Sequence, residues 1–356
     1  MNSPMKKAVT LAQVAKHAGV ALMTASRSLS GEGYVAEETK ARVLAAAAEL
    51  GYAPNMQARA MKSGRTNVIG VVVNDLASPL INAYIAELSA EVRRYQMDLF
   101  IYNAVDDLTS ANGRRLDQLL NGLWDGLIFV LPRMSDEYLA MLEQSERPVV
   151  LMHYCKHKTS VPVINGDNFN GARDATQHLI DLGHRRIAFI HGSAYTGQSA
   201  EREQGYRAAL EDAGIAFDPA LVEQGDFSER SGTEATERLL ALATRPTAIF
   251  SANDEMGFGC MLALQRAGLS VPADMSLVGF DDVPVASIVQ PRMTTLRHPI
   301  VDMAKAAVQE LLRRIKNQPG RRQRVEFPSE FVVRESSAPP PATSARRPAG
   351  RTRKTV

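Results

Sequence analysis

Pairs of amide and carboxylate side chains follow three apolar stretches of the chain. They are Asn74 with Asp75, Asn253 with Asp254, and Asp281 with Asp282. Ligands of parallel sheets bind just beyond the carboxyl ends of the strands, where such side chains can hydrogen-bond a polar molecule. A single pair is compatible with an ordinary turn or helix cap, since Asn and Asp are common in both. Three pairs at equivalent positions predict a binding site for a small polar ligand.

The motifs of nucleotide-dependent and hydrolytic enzymes are missing from the sequence. The first apolar stretch continues as GVVVNDLASP rather than G-x-G-x-x-G, and there is no P-loop, H-E-x-x-H or G-x-S-x-G pattern. The seven histidines form no metal-binding motif, and the two cysteines, Cys155 and Cys260, fit neither a disulfide framework nor a zinc spacing. We therefore expect no catalysis, no metal and no cofactor.

The elements that would position these pairs are apolar strands alternating with helices. The apolar stretches are VIGVVV, DLFIYN, GLIFVL, PVVLM, RIAFIHG, TAIFSAND and MSLVGFDD. Strands that are apolar throughout and are separated by helices indicate parallel sheets covered on both faces. Two such series predict an α/β core over residues 67–335 with two doubly wound lobes. We place the N-lobe at about 67–165 and 298–325 and the C-lobe at about 166–297 and 326–335.

A different pattern occupies the first 53 residues. Short helical stretches between Thr10 and Leu50 are interrupted at Gly19 and again at Gly31 and Gly33. Two short helices joined by a tight Gly-containing turn are typical of the helix-turn-helix, so we predict a small all-α head over residues 1–53. Residues 54–66 are then a hinge segment and linker.

The charge distribution suggests what each part binds. Residues 1–66 carry 9 basic and 4 acidic side chains, whereas residues 67–335 carry 27 basic and 35 acidic ones. A basic head on an acidic core favours a polyanionic partner such as DNA for the head, although a basic solvated face gives the same count. No apolar run approaches the roughly 20 residues of a membrane span, and no signal peptide precedes the head, so we expect a cytoplasmic, nucleoid-associated protein. The basic tail, residues 336–356, is rich in Pro, Ser and Arg and is predicted to be disordered.

The sequence closely resembles the lactose-repressor (LacI/GalR) family of transcriptional regulators. The resemblance rests on VTLAQVAKHAGVALMTASRSLSG and YVAEETKARVLAAAAELGYAPNMQARAMKSGRT in the head and hinge, and on core motifs in the same order. These core motifs include VINGDNFNGA, HLIDLGHRRIAFIHG, SANDEMGFG, SLVGFDD and PRMTTLRHP. It covers about residues 9–335. The resemblance implies a core like that of the periplasmic binding proteins, a homodimer or tetramer, and double-stranded operator DNA as the partner.

The resemblance assigns DNA-binding roles to residues of the head and hinge. It places Leu22, Met23 and Arg27 against base edges, and Thr10, Thr24, Ser26, Tyr34 and Thr39 near phosphates. An arginine fork suits the O6 and N7 atoms of guanine, whereas Leu22 and Met23 offer only apolar contacts. These two could instead be core residues of the head.

The hinge residues match a helix that lies in the minor groove of the operator. Asn55, Arg59 and Lys62 belong to this segment, with Arg59 and Lys62 approaching phosphates. Met61 occupies the position of a leucine wedge that kinks the central base step. A linker role for Met61 is the alternative.

The resemblance also implies an effector site in the core. Its members are Asn74, Asp75, His153, Asp167, Arg202, Phe227, Asn253 and Asp281. Arg202 and Asp281 match a pair that clamps a polar ligand, and Phe227 matches an aromatic that stacks on it. Many relatives have Asp at the position of His153, which either lines the pocket or is an ordinary buried histidine.

We therefore predict a ligand-responsive repressor that binds a pseudo-palindromic operator as a dimer. The effector is expected to be a small polar molecule, foremost a sugar or sugar derivative, with a purine corepressor as the alternative. A solute-binding protein shares the two-lobed core but would need a signal peptide and no basic head. The sequence leaves open whether the effector releases or recruits the protein.

Overall fold

The computed structural model describes residues 9–30, 33–52, 65–104, 108, 111, 113–116, 122–193, 195, 197–318 and 324–341. Residues up to Thr66 and residues from Asn67 onward form two separate compact units. In the described parts of the chain, no helix has the length and apolar character that a membrane crossing requires. The same parts contain no group of three or more His, Cys, Asp or Glu side chains that could hold a metal ion.

In its described residues, 9–30, 33–52 and 65–66, the first unit contains three helices around a small apolar core. They are α1 (Leu11–His17), α2 (Leu22–Ser30) and α3 (Glu37–Leu50). The core is made of small and β-branched side chains from all three helices, namely Val14, Ala15, Ala25, Val43, Ala46 and Ala47. Gly19 supplies the positive φ of 64° that the short α1–α2 turn requires, which only glycine adopts without strain. The predicted helix-turn-helix is thus confirmed.

A six-stranded sheet and its helices form the first lobe of the second unit. Its elements are β1 (Val68–Val73), α4 (Pro79–Arg94), β2 (Asp98–Asn103), β3 (Gly126–Val130), α5 (Asp136–Gln144), β4 (Val149–Met152), β5 (Val163–Gly166), α11 (Ile300–Ile315) and β11 (Arg324–Phe327). All pairings are parallel, in the order β11-β5-β4-β3-β1-β2. Strands β3, β4 and β5 are buried along their whole length, as expected for strands with helices on both faces.

The second lobe is built on a four-stranded parallel sheet. Its elements are α6 (Asn168–Asp181), β6 (Ile187–His191), α7 (Gln198–Asp212), β7 (Val222–Gln224), α8 (Glu229–Leu240), β8 (Ala248–Ser251), α9 (Asp254–Arg266), β9 (Ser276–Val278) and α10 (Pro284–Ile288). The strand order is β7-β6-β8-β9. An antiparallel pair, β10 (Thr295–Arg297) with β12 (Glu330–Val332), lies in the segments that connect the lobes. Two doubly wound parallel sheets were predicted, and this fold class is confirmed.

The start of the carboxyl-terminal tail differs from our expectation of disorder from residue 336. Ser336 is fully buried, and its carbonyl accepts a hydrogen bond of 2.8 Å from the Leu277 backbone N–H. Its hydroxyl accepts a bond from the Thr294 N–H at 2.8 Å and donates to the Leu277 carbonyl at 2.6 Å. The tail thus begins by bonding along β9, which a composition without apolar side chains does not reveal. Residues 342–356 lie outside the described residues.

Candidate functional site

The second helix of the head presents its predicted base-reading residues to solvent. Leu22 and Met23 are 54% and 56% exposed, and Arg27 is also exposed. Met23 and Arg27 are four residues apart, so they lie on the same face of α2. The opposite face buries Ala25 in the core of the head. Large apolar side chains left in water at these positions form a surface suited to contacts with thymine methyl groups.

The predicted phosphate contacts of the head are exposed or partly exposed to solvent. Thr10 is exposed and caps α1, since its backbone N–H donates to Gln13 Oε1 at 2.8 Å and its hydroxyl accepts from the Gln13 N–H at 3.4 Å. Tyr34 is 94% exposed, and Thr24, Ser26 and Thr39 are partly exposed. The hinge residues Asn55, Arg59, Met61 and Lys62 lie outside the described residues, so their roles stay predictions.

One cavity of about 380 Å³ lies between the two lobes of the core. In the first sheet the strand order reverses between β1 and β3, and the cavity is lined by residues just after those strands, including Asn74, Asp75 and Leu131. In the second sheet it reverses between β6 and β8, which are followed by the lining residues Ser193 and Asn253. At such a reversal, the connections that follow the two adjacent strands run to opposite sides of the sheet and leave a crevice between them. Both crevices open into the same cavity.

Arg202 enters this cavity from α7 but is almost fully buried. Its Nε donates to Asn168 Oδ1 at 3.0 Å, its Nη1 donates to the Ala252 carbonyl, and its Nη2 donates to Asp281 Oδ1 at 3.2 Å. The guanidinium lies 3.7 Å from the centre of the Phe280 ring, a close cation–π contact. Its orientation is therefore fixed before any ligand binds.

Asp281, Asn253 and Phe227 complete this wall of the cavity. Asp281 is 6% exposed and has a φ of 106°, and its backbone N–H donates to the Leu296 carbonyl at 2.8 Å. Asn253 caps α9 by accepting from the Met256 N–H at 3.0 Å, and its amide donates to the Phe227 carbonyl at 3.0 Å. The cap thereby fixes the backbone that carries the aromatic ring.

The Phe227 ring is seated against a glycine. A Cβ on Gly192 would lie 2.0 Å from a ring carbon of Phe227, so only glycine allows the aromatic to lie there. Phe227 itself has a φ of 77°, an uncommon conformation for a side chain of this size. Backbone strain of this kind is often stored at binding sites.

Two of the predicted effector residues do not line the cavity. His153 is fully buried, and its Nε2 lies 2.6 Å from the hydroxyl of Tyr84. Asp167 caps α6, because its carboxylate accepts from the Asn170 N–H at 2.9 Å and from the Asn170 side-chain amide at 2.6 Å. The other six lie on the wall: Asn74, Asp75, Arg202, Phe227, Asn253 and Asp281.

The structure adds lining residues that the sequence did not single out. Arg133, from the first lobe, lies 5.3 Å from the ring centre of Tyr195, which belongs to the second lobe. Gln198 and Glu255 also line the cavity. Glu255 immediately follows the predicted pair in SANDEM, and Arg133 follows β3 by three residues. The positions of Arg133 and Glu255 near strand ends were the only features of the sequence that could have indicated a place in the cavity lining.

The cavity wall is rich in acids. Among the described residues of the wall, five carboxylates accompany two guanidiniums; they belong to Asp75, Asp226, Glu229, Glu255 and Asp281, against Arg133 and Arg202. Burial, together with the negative charges of Asp281, Asp75 and Glu229, raises the pKa of Glu255 to about 7. This wall therefore offers more hydrogen-bond acceptors than donors.

A helix-turn-helix unit together with a two-lobed α/β core enclosing a polar cleft defines a DNA-binding regulator controlled by a small molecule. Comparison with known proteins agrees. Residues 10–55 match the bacterial regulatory proteins of the lacI family, and residues 176–337 match the periplasmic binding protein-like domain. Catabolite control protein A of Priestia megaterium is 32% identical over 334 residues, which are 92% of this chain and 99% of that protein. The chain belongs to the lacI family and is a transcriptional regulator.

Other relatives extend the comparison. The HTH-type transcriptional repressor PurR of Aliivibrio fischeri (strain MJ11) is 34% identical over 334 residues, covering 92% of this chain and 98% of that protein. The lac repressor dimer bound to operator and the anti-inducer ONPF has a TM-score of 0.84 at 28% identity, covering 93% of this chain and all of that one. The transcriptional regulator CelR–cellobiose complex has a TM-score of 0.72 at 32% identity, covering 92% of this chain and all of that one.

Proposed function

We propose that this protein is a repressor that binds a pseudo-palindromic operator as a homodimer and changes its operator affinity when a small polar effector enters the interlobe cavity. The observation that carries the proposal is the cavity at the reversal points of both sheets, with the fixed Arg202–Asp281 pair on its wall. The exposed α2 face of Leu22, Met23 and Arg27 is the DNA-reading surface. The operator-bound dimer of the lac repressor supports the assembly.

The negative charge of the cavity wall favours an effector that is uncharged or basic and rich in hydroxyl groups. Sugars and amino sugars have these properties. Both guanidiniums already have partners within the protein. Arg202 forms an ion pair with Asp281, and Arg133 makes a cation–π contact with the ring of Tyr195. The carboxylates of Asp75 and Glu229 would accept hydrogen bonds from hydroxyl or ammonium groups, and so would Glu255 in its ionised form. They would repel a sugar acid or a sugar phosphate.

A purine corepressor, the alternative that the sequence leaves open, is the second candidate, and the relatives include the HTH-type transcriptional repressor PurR at 34% identity. A flat base is best held between two aromatic rings. Here the second lobe supplies Phe227 and Tyr195, whereas the first lobe supplies the aliphatic residues Leu80, Ile81 and Leu131. This one-sided arrangement suits stacking on one face of a sugar ring better than a sandwiched base.

The test is operator binding by the full-length protein, with the operator selected from random DNA. Titrations with glucose, galactose, ribose, lactose, maltose and cellobiose identify a responsive sugar. Its amino and acid derivatives, such as glucosamine and gluconate, then test the charge rule, and guanine and hypoxanthine test the purine alternative. We expect a sugar to change the operator Kd by about 5- to 150-fold, the usual range of allosteric coupling.

The matched variants are Asp281→Asn and Asp181→Asn. Asp281 lies on the cavity wall, whereas Asp181 lies exposed at the end of α6, where it accepts a bond from Gln177. Asp281→Asn should bind the operator normally and lose the response, and Asp181→Asn should keep both. A full response in Asp281→Asn would remove the cavity as the effector site, and a response to gluconate alone would refute the charge rule.

A further inference from the structure

The chain passes between the lobes in three segments, and His298 lies where they meet. The first segment joins β5 to α6 through residues 166–168, the second joins β10 to α11 through residues 297–300, and the third joins β11 to β12 through residues 327–330. We call these three segments the crossovers. Any rotation of one lobe against the other must change backbone torsions in them.

The imidazole of His298 contacts all three crossovers. His298 belongs to the second crossover and its side chain is fully buried. Its Nδ1 lies 3.3 Å from the hydroxyl of Ser329 on the third crossover. On the first crossover, a Cβ added to Gly166 would lie 2.4 Å from the same Nδ1, so the ring packs directly against the Gly166 backbone.

The other edge of the ring faces the effector clamp. His298 Nε2 lies 3.3 Å from Asp281 Oδ1 and 3.5 Å from Arg202 Nη2. Burial lowers the pKa of His298, with Asp281 opposing that shift, so the ring is neutral at pH 7. A carboxylate can only accept, so we assign the single ring N–H to Nε2, where it donates to Asp281 Oδ1; Arg202 Nη2 donates to the same oxygen rather than to the ring. Nδ1 is then the acceptor for the Ser329 hydroxyl.

A second contact continues from His298 into the first lobe. The ring of His153 lies edge-on to it, with ring centres 5.0 Å apart. His153 Nε2 lies 2.6 Å from the hydroxyl of Tyr84, which is fully buried in α4. Thus His298 contacts the clamp of the second lobe, the crossovers, and a histidine–tyrosine pair of the first lobe.

We propose that His298 is the positioning residue through which occupancy of the effector cavity sets the angle between the lobes. The proposal rests on the function proposed above and names the residue that regulates that same site. An effector that engages Asp281 competes for the carboxylate that orients the His298 ring. Displacement of the ring then moves its contacts with Ser329 and Gly166, so all three crossovers respond together. A ring that is either bonded to Asp281 or displaced from it would be the two-state element that allosteric coupling requires.

The first test needs no effector and follows amide hydrogen exchange in the full-length protein. His298→Ala should speed amide exchange by about tenfold or more in the peptides of all three crossovers. The substitution removes the ring that contacts each of them, so local opening of each crossover becomes easier. Gly166→Ala should do the same while keeping the histidine, since the added methyl displaces the ring. His184→Ala is the control, because His184 is also buried but bonds Thr247 and Ser276 within the second lobe. It should leave the crossovers unchanged.

The second test measures coupling with whichever sugar of the panel above shifts the wild type. His298→Ala and Gly166→Ala should bring the ratio of operator Kd with and without that sugar to within about twofold of one. Calorimetry without DNA should show that both variants still bind the sugar. His298→Gln, whose amide can still donate to Asp281, should recover part of the ratio.

The outcomes separate the two proposals. If no sugar or purine shifts the wild type, the proposed function fails, and the exchange experiment alone decides the role of His298. If exchange changes only in residues 297–300, or if the coupling ratio of His298→Ala and Gly166→Ala equals that of the wild type, the positioning role is refuted.

Discussion

The buried Arg202–Asp281 pair should stabilise the second lobe, and the losses caused by replacing its two partners should not be additive. Arg202→Met deletes three hydrogen bonds and keeps an apolar side chain over Phe280. It leaves the Asp281 carboxylate, only 6% exposed, without its cation. Breaking a buried pair in this way costs about 3 to 5 kcal/mol of unfolding free energy.

The companion change tests the origin of that loss. Asp281→Asn removes the countercharge but keeps the shape and a carbonyl oxygen that can still accept from Arg202, so we expect a smaller loss of about 1 to 3 kcal/mol. In the double variant neither charge remains, so the combined loss should be smaller than the sum of the two single losses. A positive coupling of more than about 1 kcal/mol is the expected result of the cycle.

The assay is urea unfolding of the full-length variants followed by circular dichroism, with the core transition analysed separately from that of the head because the chain forms two compact units. An unfolding midpoint of Arg202→Met equal to that of the wild type would refute the stabilising role of this pair. Strict additivity would show that the two side chains do not interact. Because Arg202 variants are expected to be unstable, Asp281→Asn is the better variant for effector assays.

Three further predictions follow from other residues. Arg27→Ala should weaken operator binding by about 1 to 3 kcal/mol and leave random-DNA binding nearly unchanged, as measured by gel shift; equal losses would make Arg27 a phosphate contact. Phe227→Ala should weaken sugar binding by about 2- to 12-fold in calorimetry, since a stacked ring contributes about 0.5 to 1.5 kcal/mol; unchanged affinity would place the ligand elsewhere. The pKa of Glu255 is raised to about 7, so its stabilising contribution is present below the ordinary Glu pKa and is lost as pH rises through 7. Glu255→Gln should therefore raise Tm at pH 8 but not at pH 4, with Glu237→Gln as the exposed control, and an equal change at both pH values would contradict the assignment.

The fold was predictable from the sequence because each lobe repeats one pattern of apolar strand and helix. The helix-turn-helix was predictable for a similar reason, since Gly19 marks the only tight turn between the first two helices. The start of the tail was not predictable, because Ser336 is held through its backbone and hydroxyl rather than by an apolar side chain. Patterns of hydrophobicity report side-chain burial and contain no information about such backbone pairing.

The same reasoning explains which candidate site residues line the cavity. Asn74 follows β1 and Asn253 follows β8. Each of these strands borders the point at which the strand order of its sheet reverses, so both residues line the cavity. His153 follows β4, and Asp167 follows β5, which lie one and two strands beyond β3 on the first sheet. The sequence shows that a residue follows a strand. It does not show the position of that strand in the sheet, and this position decides whether the strand borders the crevice. His153 is therefore buried behind the cavity wall, where its Nε2 lies 2.6 Å from the hydroxyl of Tyr84.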